Sequence, residues 1–209
     1  MNTATHVTSG PGVPPAARAA ARRFVPAGVA LEIREYGSGN INDTFLVTPL
    51  DASLPPFLLQ RLNSGVFPRP HLVLANFRTC SRHLEQGLEA VDLPPGRRFE
   101  IPRLLPTRAG DHWLTDAEGS WWRALGFIAG THSIDLVQDT AAAQEVGWAL
   151  GLFHRLLSLL PPESLADTLP GFHLAPRYLR HYDEVCSRRP LPPTPEARYA
   201  RACIEARRG

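Results

Sequence analysis

The hydrophobic pattern of this chain changes period near residue 70, and that change restricts the folds open to it. Before it, Val29–Tyr36 alternates apolar and polar residues, and Ile41–Val47 and Phe57–Leu62 read as two further strands. After it, Val73, Phe77, Cys80, Leu84, Leu88 and Val91 recur at spacings of three and four. That stripe predicts an amphipathic helix over 71–91. Shorter strands are expected at Ile101–Leu105, His112–Thr115 and Trp121–Phe127, with turns at Arg108-Ala109-Gly110 and Glu118-Gly119 between them. Of the pair Trp121-Trp122, alternation buries one ring and leaves the other half-exposed.

The second half of the chain is helical in pattern. Asp139 stands where it can cap a helix whose one apolar stripe is Val146, Leu150, Phe153, Leu157 and Leu160, and Pro161-Pro162 ends it. A further helix is expected over Pro176–Arg188, with Tyr178, Leu179, Tyr182 and Val185 facing inward, and another pattern begins at Glu196. The expected class is therefore α+β: an antiparallel sheet with one helix, followed by helices. Residues 1–15 are expected to form a mobile tail, with a short helix at Ala16–Phe24. Residues 16–128 are expected to form a small lobe, and 129–209 the incomplete start of a helical large lobe.

Composition excludes several classes. The 209 residues are 44% hydrophobic, enough for one sizeable core or two small lobes. The net charge of +2 gives no reason to expect a nucleic-acid partner. No apolar run approaches the ~20 residues of a membrane-spanning helix, and no membrane partner is expected. All 22 basic residues are arginine, so no lysine can clamp phosphate, form a Schiff base or act as a general base. Cys80, Cys186 and Cys203 form no CxxC pair and no metal spacing, which fits a reduced, cytoplasmic setting. His132, His154, His173 and His181 show no metal-ligand spacing either, and no metal site is expected from them.

Between the first two strand patterns lies Gly37-Ser38-Gly39-Asn40. A glycine turn there can bring backbone N–H groups close to phosphate oxygens, because no Cβ obstructs the approach; an ordinary hairpin turn is the competing reading. The rivals among phosphate loops fail: a Rossmann turn needs a third glycine and a following helix, and a Walker loop needs lysine.

The run YGSGNINDTFLV (Tyr36–Val47), together with LLQRLNSGVFPRP (Leu58–Pro70) and FHLAPRY (Phe172–Tyr178), resembles the N-acetylhexosamine 1-kinase group of aminoglycoside/choline-kinase-like phosphotransferases. The resemblance spans about residues 24–190, and the order of elements is similar to a kinase small lobe followed by the start of a large lobe. It implies that Gly37, Ser38, Gly39 and Asn40 cover the phosphates of ATP. Asn42, Asp43 and Thr44 would fix that loop or face the acceptor sugar. Phe127 and Ile128 would lie in the lobe connector that holds adenine, with Gly126 and Gly130 as its hinges. Mg2+ is implied as the second cofactor and a small-molecule sugar as the acceptor.

Kinases place a cation on the third strand and orient it with a helix carboxylate. The kinase register puts Gln60 at that position, with Arg61 beside it. Arg61 is preferred, since guanidinium can grip phosphate bidentately and glutamine carries no charge; a surface arginine at a strand end is the other reading. Glu85 and Glu89 are the candidate carboxylates, against the alternative of a solvated helix face.

Catalysis is expected to be missing. Phosphoryl transfer of this kind needs a catalytic-loop Asp, an Asn five residues on, and a further Asp for the metal. The only His-x-Asp is His181-Tyr182-Asp183, and Arg188 stands where Asn is needed. No asparagine follows Asn76, and no aspartate follows Asp183. The expectation is a fragment or truncated frame, inactive alone. A noncatalytic nucleotide-binding or interaction module is the alternative, and a second chain supplying the missing lobe is a third possibility.

Overall fold

The computed structural model describes residues 7–9, 12–132, 134, 136–189, 192 and 194–208. Its contacts divide the chain into two compact units, Met1–Thr168 and Leu169–Gly209.

The first unit is built on one sheet. Strand β1 (Val7–Ser9) is followed by helix α1 (Pro15–Ala21), then β2 (Leu31–Glu35), β3 (Asp43–Pro49), β4 (Phe57–Leu62), helix α2 (Pro70–Glu89), β5 (Leu104–Leu105), β6 (Leu114–Thr115), β7 (Trp121–Gly126) and helix α3 (Thr140–Leu157). The strand order is β1-β2-β3-β4-β7-β5, with β6 also on β7. Only β1 runs parallel to its neighbour; all other pairings are antiparallel. The segment expected to be a tail thus contributes a strand at Val7–Ser9, while residues 1–6, 10 and 11 lie outside the described residues. The α+β expectation holds, and every element from α1 to α3 falls within a few residues of its expected span.

The sheet has two differently clothed faces. Leu31, Ile33, Phe45, Val47, Phe57, Leu59, Trp122 and Ala124 form one buried cluster with Ala17, Ala20 and Ala21 of α1. Small alanines let the helix lie close to the sheet, and removing side chains such as Phe57 from water contributes roughly 1.5–3 kcal/mol each. Trp122 is fully buried and Trp121 half-buried, as alternation requires. The other face carries α2: its His71 ring lies 6.1 Å from Trp121, and its Phe77 lies beneath Arg123.

Helix α3 is capped as expected, with the Asp139 carboxylate accepting from the Ala142 N–H at 2.7 Å. Its packing face differs in part from the expected stripe, of which Leu157 is partly buried against α2. Leu152 and Leu156 are buried against Leu84 of α2, with Trp148 and Leu88 around them. Val146, Leu150 and Phe153 are instead 43%, 51% and 38% exposed. Because α3 packs on α2, the chain divides after Thr168 rather than after residue 128.

The second unit holds α4 (Ala175–Arg188) and α5 (Pro195–Glu205), neither with a buried residue. Of the side chains expected to face inward, Leu179 and Tyr182 are half-buried, whereas Tyr178 and Val185 are exposed. Arg208 ties the two helices together by bonding Asp183 and Glu205, its Nη1 lying 3.0 Å from the Asp183 carboxylate. Among the described residues no helix is long and apolar enough to cross a membrane.

Candidate functional site

The glycine turn joins β2 to β3 at the edge of the site. Gly37 has φ +82°, a left-handed conformation that costs an L side chain strain, and no neighbouring atom would meet a Cβ there. Gly37, Ser38, Gly39 and Asn40 are all exposed. Their immediate base is ordered: the Tyr36 N–H donates to the Thr44 carbonyl at 2.9 Å.

Each of the three residues after the turn is tied to β4 or to the turn beyond it. Asn42 Oδ1 accepts from the Asn63 N–H at 3.0 Å. Asp43 pairs with Arg61 at 2.5 Å. Thr44 Oγ1 accepts from Gln60 Nε2 at 3.0 Å. The antiparallel register explains all three, since Asp43 stands opposite Arg61 and Thr44 opposite Gln60. Asn42, Asp43 and Thr44 are therefore held by β4 and the turn that follows it.

Register also separates Gln60 from Arg61. On the α1 face, Arg61 pairs with Asp43 and its guanidinium lies 5.8 Å from the Trp122 ring centre. Trp122 Nε1 in turn donates to Asp116 at 2.7 Å. With Gly37, Gly39 and Glu35, this pair lines a shallow cavity of about 310 Å³.

On the α2 face, Gln60 stands between Thr44 and Arg123 in a row across β3, β4 and β7. Arg123 Nε and Nη2 both donate to Gln60 Oε1, at 3.0 and 2.8 Å. Its guanidinium lies 4.8 Å from the Phe77 ring centre. Burial pushes its pKa down to about 10, which leaves it charged at neutral pH. Sequence reasoning passed over Arg123. The signal that could have found it was a charge alternating in phase with the apolar residues Trp121 and Leu125.

Glu85 reaches neither Gln60 nor Arg61; it pairs with Arg103 at 2.8 Å. Glu85, Glu89, Arg103, Phe127 and Ile128 line a separate cavity of about 600 Å³ beside the connector. Phe127 also meets Tyr36 edge-to-face, with ring centres 5.7 Å apart. The base of the glycine turn and the connector are thus in contact across the sheet.

His181 and Asp183 lie inside α4, where hydrogen bonds from Arg208 hold the Asp183 carboxyl below the usual range. Among the described residues no group of three or more His, Cys, Asp or Glu is placed to hold a metal ion. Compared with models of known protein families, the chain matches none.

Proposed function

We propose that this chain holds ATP, as the nucleotide-binding part of a phosphotransferase whose acceptor is a sugar hydroxyl of the N-acetylhexosamine class. The observation that carries the reading is the Tyr36–Phe127 contact, which brings the base of an exposed glycine turn against the segment following β7. A nucleotide spans the same two features in a kinase-like small lobe, with its phosphates at the turn and its adenine at the connector. The order of strand, glycine turn, two strands, helix and later strands supports the same reading.

The donors present fit a triphosphate: a left-handed glycine at the turn, and a cation in Arg123 on the face that carries α2. ATP would supply the transferable phosphoryl group, and the chain's own residues would bind and orient it. Among the described residues no comparable set of ligands is offered to Mg2+. Three free cysteines fit a reduced, cytoplasmic setting.

A second reading is favoured by Asp183. Its carboxylate is engaged by Arg208 within a helix, an unsuitable position for a base that must accept a proton from a sugar hydroxyl. On that reading the 209 residues bind nucleotide without turning it over, unless another chain contributes the catalytic residues.

Calorimetric titration of the full chain with ATP, paired with a phosphorylation assay on N-acetylhexosamines, tests both. ATP binding without turnover supports the noncatalytic reading. Binding with sugar phosphorylation supports the enzyme. A chain that binds no ATP at millimolar concentration refutes the proposal.

A further inference from the structure

A guanidinium half-buried against a sheet, as Arg123 is, ordinarily meets a carboxylate, because an uncompensated charge withdrawn from water is unfavourable. Arg123 departs from that rule. Among the described residues its contacts are the neutral Gln60 amide and the Phe77 ring, and no carboxylate acts on it.

The geometry leaves one side of the group open. Gln60 Oε1 occupies the Nε/Nη2 edge, and Phe77 covers a face of the plane. The Nη1 amino group makes no hydrogen bond to the described protein, yet it is not sealed from solvent. The Nη1/Nη2 edge is therefore the free fork, and a fork of parallel N–H groups matches two oxygens of a phosphate.

Arginine also sets the direction of the whole row. It can only donate, so Gln60 must present its oxygen to Arg123 and its amino group to Thr44. Thr44 Oγ1 accepts that bond, and its own hydrogen is left to donate elsewhere. Both ends of the row thus offer donors on the same sheet face, and the Thr44 end adjoins Tyr36 at the base of the glycine turn.

We propose that Arg123 and the Thr44 hydroxyl form an oxyanion-binding subsite on the α2 face of the sheet, which takes the phosphate chain of a nucleotide. Arg61 is then not the phosphate cation: it lies on the opposite face, already paired with Asp43. That the anion belongs to a nucleotide rests on the reading proposed above; the oxyanion site does not.

Calorimetric titration of the full chain with sodium tripolyphosphate and with ATP, at low salt, tests this. Gln60→Glu is the informative variant, because it leaves the hydrogen bonds to Arg123 in place and supplies the missing counter-charge. Arg123→Met removes the fork, and Arg82→Ala on the exposed side of α2 controls for loss of general positive charge. The expected result is a loss of about tenfold or more in affinity for both ligands in Gln60→Glu and Arg123→Met, with Arg82→Ala within about twofold of the parent. If Arg123→Met does not fold, Gln60→Glu, with a melting temperature at or above the parent's, decides. Tripolyphosphate binding that both site variants weaken, without ATP binding, supports the subsite and overturns the nucleotide reading. ATP binding that Gln60→Glu leaves unchanged keeps the nucleotide reading and overturns the subsite. A loss in Arg61→Ala that Gln60→Glu does not share moves the anion to the other face and overturns the subsite. A chain that binds neither ligand overturns both.

Discussion

Gln60 and Arg61 are neighbours in β4, and their side chains leave opposite faces of the sheet. Gln60 joins Thr44 and Arg123 on the α2 face, while Arg61 pairs with Asp43 on the α1 face. Asp43 and Arg61 both remain substantially exposed, so their attraction is screened by water. Arg61→Ala is expected to cost no more than about 1 kcal/mol in urea unfolding. A substantially larger loss would mean that Arg61 supports the sheet through its stacking on Trp122.

Asp116 should give the sheet a pH dependence. Its partial burial acts to raise its pKa, but donors outweigh that: Trp122 Nε1 and the N–H groups of Ser120 and Glu118, with Arg61 adding its charge. The net shift is below the ordinary 3.8. A depressed carboxyl contributes stability that is fully present above the unfolded pKa and is lost as pH falls through the folded one. The stability advantage of the parent over Asp116→Asn should therefore be constant from pH 7 to about 5 and shrink below about 4, measured by thermal melting across that range. An advantage that grew with acidity would contradict the hydrogen-bond pattern.

The two turn glycines should respond differently. Gly37 adopts φ +82°, whereas Gly39 has no left-handed φ, and neither has a close neighbour. Gly37→Ala is expected to cost about 1 kcal/mol, and Gly37→Asn less, since asparagine tolerates the left-handed region. Gly39→Ala should be near neutral. Denaturant unfolding of the three variants checks the order.

Helix α3 offers a test of its packing face. Leu152→Ala opens a cavity against Leu84 and should cost about 2–5 kcal/mol, while Leu150→Ala, on the exposed side, should fall within about 0.5 kcal/mol of the parent. Replacing Val146, Leu150 and Phe153 with glutamate should reduce self-association in sedimentation velocity, because those side chains form an exposed apolar stripe. Equal losses at Leu150 and Leu152 would contradict the described packing.

Much of the fold was legible beforehand. The period-two runs became β2, β3, β4 and β7, the stripe over 71–91 became α2, and Asp139 capped α3. These signals are local: a strand or helix repeats its own geometry within a few residues, so burial on one side prints a period into the chain. The stripe of α3 was misread because apolar residues lie on more than one side of that helix, and only contact with Leu84 and Leu88 of α2 selected Leu152 and Leu156.

The candidate site was legible in its members but not in its partnerships. Asn42, Asp43, Thr44, Gln60 and Arg61 were all singled out, yet which of them met depended on register between β3 and β4. Glu85 was paired in expectation with the third strand and meets Arg103 instead, because the approach of the 98–105 segment to α2 is a nonlocal event.

From its sequence alone, then, the chain determined its elements, its glycine turn, and the absence of lysine and of late asparagine and aspartate. Only the tertiary structure decided that Arg123 would stand in line with Gln60 and Thr44, and that Arg61 would meet Asp43. The physical reason is that side-chain direction within a strand follows from alternation, whereas the identity of the neighbour opposite follows from strand pairing between distant segments, Gln60 and Arg123 being 63 residues apart.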